Sequence, residues 1–203
     1  IPERLVNCAL VHGIHMEKVG KADCGRGAQD FTSAIPACDG LYTNEKNVPL
    51  GLNYADCTPL LFYDPVTSSI AVAHGGWRGT AENIAGEAVR HLQESYGAEP
   101  KNIKAGIGPA IGKSVFEVEK DVVEAFEKIF DEEEMKRLSA PKGEGKILID
   151  LPLANRILME RAGILPENIE DCGICTYCRN DLFYSYRKAA GRTGRHMAVM
   201  MLK

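Results

Sequence analysis

The sequence lacks a run of about 18 apolar residues, which argues against a membrane-spanning helix. Basic residues are not in excess, because 24 lysines and arginines stand against 28 aspartates and glutamates and give a net charge of -4. A balance of this sign argues against nucleic acid as the main partner. A basic start followed by an apolar signal-peptide core is also missing, and the chain begins with Ile1. These absences predict a soluble protein that acts on small molecules.

The seven cysteines are an odd number, which disfavours a framework of disulfides. Such cysteine usage is typical of free thiols or metal ligands in a reducing compartment, so we expect a cytoplasmic protein. Cys172, Cys175 and Cys178 have the spacing C-x2-C-x2-C, which is similar to iron–sulfur ligation. A nearby fourth cysteine followed by proline is missing, so we expect free thiols at these three positions.

The 203 residues, with 45% hydrophobic and 26% charged, are enough for one globular domain. Turn residues between two apolar runs, at 60–63 and 70–74, predict a hairpin that brings Cys57 and His74 to the same end. Short apolar runs and helical patterns alternate irregularly, which predicts an α+β fold with mixed sheets in a single domain, 1–203. Further strands are expected at residues 5–11, 103–107, 147–149 and 196–202, and in the aromatic segment 183–186.

Three helices are predicted between these strands. The first follows Thr80 as N-cap and ends at Gly97, the second covers residues 118–130, and the third begins after Asp150. Two polar segments are expected to be exposed, as a solvated helix end at residues 131–134 and as a loop at residues 139–146.

Cys57 and His74 are residue types that bind zinc or copper, and a third ligand could come from His12 or His15. Three protein ligands leave one tetrahedral position open, which is the arrangement of a catalytic site. Spacing alone is weak evidence, because His12 and Cys57 are far apart in the chain. Cysteine and histidine near strand ends are also common as packed core residues, and that alternative stays open.

Five sequence motifs favour the metal site over packed core residues. Their order and placement resemble the laccase-domain family, also called the multicopper polyphenol oxidoreductase or purine nucleoside phosphorylase family. The motifs are VHG at 11–13, ADC followed by proline at 55–59, AHGGWRG at 73–79, GPAIG with FEV at 108–118, and CT with FYSYR at 175–187.

The resemblance implies a zinc site formed by His12, Cys57 and His74. It also implies phosphorolysis of adenosine, inosine, guanosine and methylthioadenosine, together with adenosine deamination. The implied fold is α+β, with mixed sheets packed between helices. Family members carry a longer segment before the VHG motif, whereas eleven residues precede His12, so the N-terminal part of the family domain is expected to be missing. The oligomeric state stays open.

Phosphorolysis requires a site for inorganic phosphate, and the planar guanidinium groups of Arg78 and Arg187 suit that role. Arg78 could instead pair with a carboxylate. Deamination requires a proton shuttle near water activated by the metal, and His15, Glu117 and Asp39 are the candidates. Asp39 and Glu117 are also candidates for substrate binding. The helix expected after Thr80 would add free N–H groups that favour an anion.

Two other classes of enzyme remain as alternatives. The first is a copper-dependent polyphenol oxidase, which the five histidines disfavour because multicopper sites need many more. The second is a metal-free hydrolase in which His74 activates Cys57 as a nucleophile. A binding module without catalysis is the least favoured interpretation.

Overall fold

The computed structural model describes residues 2–143 and 145–203, so Ile1 and Glu144 lie outside the description. The strands are β1 Val6–Asn7, β2 Met16–Lys18, β3 Gly40–Thr43, β4 Leu50–Tyr54, β5 Thr58–Asp64, β6 Ser69–Gly75, β7 Lys104–Ile107, β8 Glu117–Val118, β9 Ser139–Gly143, β10 Lys146–Ile149, β11 Ile169–Asp171 and β12 His196–Met200. The α-helices are α1 Trp77–Ala81, α2 Ile84–Tyr96, α3 Lys120–Glu127, α4 Glu132–Leu138 and α5 Leu151–Arg161.

A six-stranded sheet in the order β11-β7-β5-β6-β3-β2 forms the centre of the molecule. Its outer pairs are parallel and its inner pairs are antiparallel, so the sheet is mixed as the sequence predicts. Two three-stranded sheets, β1-β4-β12 and β8-β10-β9, complete the set. The α+β class with mixed sheets is therefore confirmed.

The predicted hairpin is formed by β5 and β6. Its turn depends on Asp64, whose carboxylate accepts hydrogen bonds from the N–H groups of Val66 and Thr67, an arrangement typical of Asx turns. The register pairs Pro59 with His74, so the strands bring Cys57 and His74 to one end of the sheet, as expected.

The two faces of the six-stranded sheet are covered differently. One face packs its apolar side chains, including Leu60 and Phe62, against helices α2 and α5. The opposite face, with Leu41 and Val72, packs against Leu50 and Leu52 of the β1-β4-β12 sheet. The central sheet thus lies between helices on one side and a small sheet on the other, and it is held rigidly from both sides.

The first predicted helix begins later than expected. Thr80 is not an N-cap, because it lies inside the short helix α1, where its buried hydroxyl accepts a hydrogen bond from Asn155 at 3.0 Å. The cap of α2 is Asn83, whose side chain accepts a hydrogen bond from the N–H of Gly86. The end at Gly97 is confirmed, with a left-handed φ of 72° that glycine adopts without strain. The expected anion-binding helix start after Thr80 is therefore wrong.

The polar segments 131–134 and 139–146 also differ from the prediction. Asp131 and Glu134 form a reciprocal capping box that starts α4, so the acidic run begins a helix instead of ending one. Residues 139–143 form β9, an edge strand on which Pro141 is tolerated because one side of the strand needs no ladder bonds. Residue 144 of the predicted loop lies outside the described residues.

Of the remaining predicted elements, some are found, some are shortened and one is missing; the predicted strand 5–11 is shortened to β1. Asp150 caps α5 through the N–H of Leu153, as expected. The predicted helix 118–130 is shortened to α3, because Val118 belongs to β8. The aromatic segment 183–186 was predicted as a strand and is instead irregular backbone that leads into a turn. Within residues 2–143 and 145–203, the α-helices are too short or too polar to cross a membrane.

Candidate metal centre

Three side chains from separate parts of the chain converge at one end of the central sheet. His12 lies in the loop between β1 and β2, Cys57 immediately precedes β5, and His74 lies near the end of β6. One ligand atom from each side chain lies within 4.8 Å of the other two. His15 is exposed and contacts Glu17 at 2.9 Å, so His12 is the histidine of the VHG segment that joins the cluster. We call His12, Cys57 and His74 the metal centre.

Asp39 lies beneath the metal centre and orients two of its members. Its carboxylate accepts hydrogen bonds from the backbone N–H groups of His12 at 2.8 Å and Gly13 at 2.7 Å. These bonds hold His12 at a left-handed φ of 63°, which is uncommon for a residue with a side chain. The same carboxylate lies 3.6 Å from Nδ1 of His74, which leaves Nε2 of that ring to face the cluster. Asp39 is fully buried, so it supports the site from below.

The metal centre concentrates opposite charges. Burial raises the pKa of the Cys57 thiol, but the charge of His74 and contacts with His12 and His74 outweigh burial and lower the pKa to about 6. Burial lowers the pKa of His74, whereas the Cys57 thiolate and Asp39 raise it to about 9. Burial also raises the pKa of Asp39, and its contacts with His74, Gly13 and His12 more than reverse that effect. Cys57 is therefore a thiolate near neutral pH, the form that binds metals.

Gly76 provides the space in which the three side chains meet. A Cβ atom at this position would lie 3.3 Å from Cε1 of His74 and 3.4 Å from both Sγ of Cys57 and Cδ2 of His12. Any larger residue would therefore push the ligands apart. A larger residue is also excluded at Gly79 in helix α1, because a Cβ atom there would lie 2.6 Å from the carbonyl oxygen of Gly13.

Asp56 connects the metal centre to the C-terminal part of the chain. Its carboxylate accepts hydrogen bonds from the hydroxyls of Thr176 at 2.6 Å and Ser185 at 3.0 Å, and from the N–H of Arg187 at 2.7 Å. Asp56 itself has a φ of 85° and directly precedes Cys57. Asp56 was not predicted from the sequence to have a role, although its place in the ADC motif was the available signal.

A cavity of about 560 Å³ opens above the metal centre. Its walls combine apolar and aromatic side chains with three arginines, Arg78, Arg187 and Arg195, which we call the arginine rim. A second cavity of about 410 Å³ adjoins the first, and Arg78 and Arg187 line both. The aromatic walls and Arg195 were not singled out from the sequence as parts of the site. The apolar and aromatic residues of the larger cavity are Leu10, Tyr54, Ala55, Trp77, Ile111, Phe116 and Tyr186.

The guanidinium groups of the arginine rim are held without carboxylates. Arg78 stacks on the ring of Trp77 at 4.2 Å, and Arg187 lies 5.4 Å from the ring of Phe116. Arg187 also donates a hydrogen bond to the carbonyl oxygen of Glu117 at 2.8 Å. In the described part of the chain these arginines form no ion pair, so the alternative in which Arg78 pairs with a carboxylate is wrong.

Glu117 is the only one of the expected proton-shuttle candidates that lines a cavity next to the metal centre among the described residues. Its carboxylate pairs with Lys142 at 2.7 Å and Lys146 at 2.5 Å, and these bonds lower its pKa to about 2. A carboxylate held in this way stays ionised and is a poor proton donor near neutral pH. The other candidates, His15 and Asp39, are respectively outside the cluster and buried beneath it.

The donor set of the metal centre fits a single ion with an open coordination position. One thiolate and two imidazoles are ligands that zinc accepts in catalytic sites and that copper also accepts. The three ligand atoms lie within 4.8 Å of one another, so they are close enough for a single ion to bind all three after adjustment of the side chains. In residues 2–143 and 145–203 this is the one group of at least three such side chains, and Cys172, Cys175 and Cys178 do not converge.

The chain matches known proteins along its whole length. A family model described as "Multi-copper polyphenol oxidoreductase laccase" matches residues 1–203. Purine nucleoside phosphorylase YlmD of Bacillus subtilis (strain 168) is 39% identical over 192 residues, which cover 95% of this chain and 68% of that protein. The YlmD protein of Geobacillus stearothermophilus is 41% identical over 200 residues, with 98% and 72% covered.

Solved structures agree with this match. The crystal structure of YlmD from Geobacillus stearothermophilus superposes with a TM-score of 0.95 at 39% identity, over 100% of this chain and 75% of that one. The crystal structure of the Bacillus licheniformis hypothetical protein YfiH gives a TM-score of 0.96 at 37% identity, with 100% and 76% covered. The fold is thus shared with experimental structures.

Proposed function

The chain belongs to the multi-copper polyphenol oxidoreductase laccase family, and from this premise we propose that it is a zinc-dependent purine nucleoside phosphorylase. Its proposed substrates are adenosine, inosine, guanosine and methylthioadenosine, with adenosine deamination as a second activity. Relatives that bear the name purine nucleoside phosphorylase support this choice. The observation that carries it is the metal centre at the base of a cavity that also presents arginines without an ion-pair partner among the described residues.

The metal centre would hold one zinc ion through His12, Cys57 and His74. When bound, zinc supplies a Lewis acid that stabilises developing negative charge on the substrate. Asp39 acts as a positioning residue, because it fixes the backbone of His12 and faces the ring nitrogen of His74 that points away from the metal. Cys57 contributes its sulfur as a thiolate, which its lowered pKa maintains near neutral pH.

Arg78 and Arg187 are the proposed phosphate ligands. Both line the boundary between the two cavities, and both have guanidinium groups free of carboxylates among the described residues. Two cations there would orient an oxygen of phosphate toward the sugar carbon that carries the base. The carbonyl oxygen of Glu117 holds Arg187 in place, so Glu117 acts through its backbone while its carboxylate binds lysines.

The aromatic wall is the proposed site of the purine. Tyr54, Phe116 and Tyr186 line the cavity that contains the metal centre, and aromatic faces stack on purine rings. A cavity of about 560 Å³ is in the range of small-molecule sites. The base and the phosphate would therefore occupy different parts of one continuous space.

The proposal is tested by incubating the purified chain with inosine or adenosine, with and without inorganic phosphate, before and after chelation. We expect phosphate-dependent release of the free base together with a sugar phosphate, lost on chelation and restored by zinc. Release of base without phosphate would contradict a phosphorylase. Cys172→Ser is the matched control for Cys57→Ser, because Cys172 is exposed and lies outside the metal centre.

A second candidate, a metal-free hydrolase, is supported by the charge state of Cys57 and His74. A thiolate paired with an imidazolium is the arrangement of cysteine nucleophiles. Chelation separates the two candidates, since a cysteine hydrolase keeps its activity without metal and loses it on alkylation. The third candidate, a copper polyphenol oxidase, would show phenol oxidation after loading with copper and no turnover of nucleosides.

A further inference from the structure

Two thiols share one turn on the surface near the C-terminal part of the chain. The N–H of Arg179 donates to the carbonyl oxygen of Cys175 at 2.8 Å, which closes a helical type of turn. In such a turn, residues three apart lie on the same face, so Cys175 and Cys178 are neighbours. The N–H of Cys178 also donates to Sγ of Cys175 at 3.3 Å. The two cysteines are therefore in direct contact.

The two thiols have different environments. Sγ of Cys175 accepts hydrogen bonds from the N–H groups of Cys178 and Gly112, each at 3.3 Å. Burial raises the pKa of Cys175, but these donors outweigh it and lower the pKa, whereas the contact with Cys175 raises the pKa of Cys178. Cys175 is thus the more acidic thiol of the pair.

The pair is accessible and lies beside a positive charge. Cys178 is exposed and Cys175 is half-buried. Nζ of Lys188 donates to the carbonyl oxygen of Tyr177, one of the two residues between these cysteines, at 3.2 Å. A cation there favours approach of an anionic reagent. Thr176 of the same turn binds Asp56, so the turn is anchored to the chain segment beside the metal centre.

We propose that Cys175 and Cys178 form a redox-active dithiol that is converted to a disulfide by low-molecular-weight disulfides. The Cys175 thiolate attacks one sulfur of the small disulfide, forms a mixed disulfide and releases one small thiolate, which takes up a proton. The Cys178 thiol then loses its proton, and the resulting thiolate attacks Sγ of Cys175. The bond between the two cysteines forms as the mixed disulfide breaks, and the second small thiolate leaves. Two protein thiols are oxidised and one small disulfide is reduced to two thiols.

Other cysteines of the chain lack this combination of properties. Cys8 and Cys38 also contact each other, but both are buried, and the contact with Cys38 together with burial raises the pKa of Cys8. A buried thiol of raised pKa is inert. Cys172 is exposed, yet burial of part of its surface raises its pKa, and it does not join the pair.

The test uses the full chain, reduced and freed of metal, and then incubated with oxidised glutathione at neutral pH. Acid quenching, alkylation and peptide mass spectrometry would locate each oxidised cysteine. We expect an intramolecular disulfide between Cys175 and Cys178, with Cys175 reacting about tenfold faster than Cys172. In Cys178→Ser, the mixed disulfide with glutathione should accumulate on Cys175, because the second step is blocked.

The control variant is Cys172→Ser, in which the Cys175–Cys178 disulfide should form at the wild-type rate. Three results would overturn the proposal. The first is that Cys172 and Cys175 react with oxidised glutathione at equal rates. The second is that the wild-type chain stops at the mixed disulfide. The third is that Cys178 in the Cys175→Ser variant reacts as fast as in the wild type. The readout does not depend on nucleoside turnover, so the dithiol and the proposed phosphorylase are tested separately.

Discussion

The metal centre lies at one end of the central sheet, with Cys57 and His74 at its strands and His12 on a loop, whereas the arginine rim lies on the short helix α1, a turn and an irregular segment. His74 is 2% exposed and is fixed by Asp39 beneath it, while Arg78 and Arg187 are exposed and rest on aromatic rings. The strands and Asp39 thus preorganise the metal ligands. The rim keeps its charges available because aromatic faces and a backbone carbonyl hold its side chains in place of carboxylates.

This contrast predicts that changes at the metal centre remove the activity, while changes at the rim weaken the binding of one substrate. In the proposed phosphorylase, the metal centre would provide chemistry that every turnover needs. The rim would provide binding energy for an anion, and a higher concentration of that anion would compensate for its loss.

The largest effect is expected for Cys57→Ala. Loss of a metal ligand should lower metal affinity and nucleoside turnover by more than about 100-fold, which exceeds the usual effect of losing an outer partner of a ligand. Metal content and phosphate-dependent turnover measure this, with Cys172→Ala as control. Retained metal with retained turnover would remove Cys57 from the metal centre.

The next effect is expected for Asp39→Asn. The amide removes one of the acceptors for the N–H groups of His12 and Gly13, and it no longer attracts His74. We expect metal affinity to fall by about 10–100-fold, as for other outer partners of metal ligands. A chelator competition assay measures the affinity, and Asp30→Asn, on an exposed turn, is the control. An affinity equal to that of the wild type would show that Asp39 does not position the ligands.

The metal-free protein should show an unusual pH dependence at Cys57. The pKa of Cys57 is lowered to about 6, so the thiolate is present above that pH and is lost as the pH falls through 6. In His74→Asn the pKa should rise toward an ordinary cysteine value, and alkylation at neutral pH should slow by roughly tenfold. The rate of labelling against pH measures both. A midpoint near 8.5 in the wild type would contradict the proposed charge pair.

A smaller and more selective effect is expected for Arg78→Met. A charge-assisted hydrogen bond contributes about 1.5–3 kcal/mol, so the KM for phosphate should rise roughly tenfold or more. Turnover at saturating phosphate and the KM for inosine should change much less. Arg90→Met, which removes a surface arginine paired with Glu87 and Glu94, is the control. Equal changes in the KM values of phosphate and inosine would contradict a phosphate site at Arg78.

The sequence predicted that Cys57 and His74 would meet because the hairpin that carries them depends on local rules. The turn at Asp64 specifies the hairpin, and the hairpin register places His74 beside Cys57. The choice of His12 over His15 came from the motif resemblance, and the structure agrees with it because Asp39 holds the backbone of His12 and Gly13.

The support around the site could not be predicted in the same way. Asp56 binds Thr176 and Ser185, which are 120 and 129 positions away, and local patterns carry no information on such pairs. The same bonds explain why the aromatic segment 183–186 is not a strand. The hydroxyl of Ser185 and the N–H of Arg187 bind Asp56, so this backbone follows the carboxylate and not a neighbouring strand.

The measurement that tests the central claim most directly is the metal content of the purified chain, by elemental analysis, beside that of Cys57→Ala. The account predicts about one zinc ion per wild-type chain, as one site with three ligands requires, and almost none in the variant. A wild-type chain that stays free of metal after incubation with zinc, or a variant that retains zinc, would contradict it.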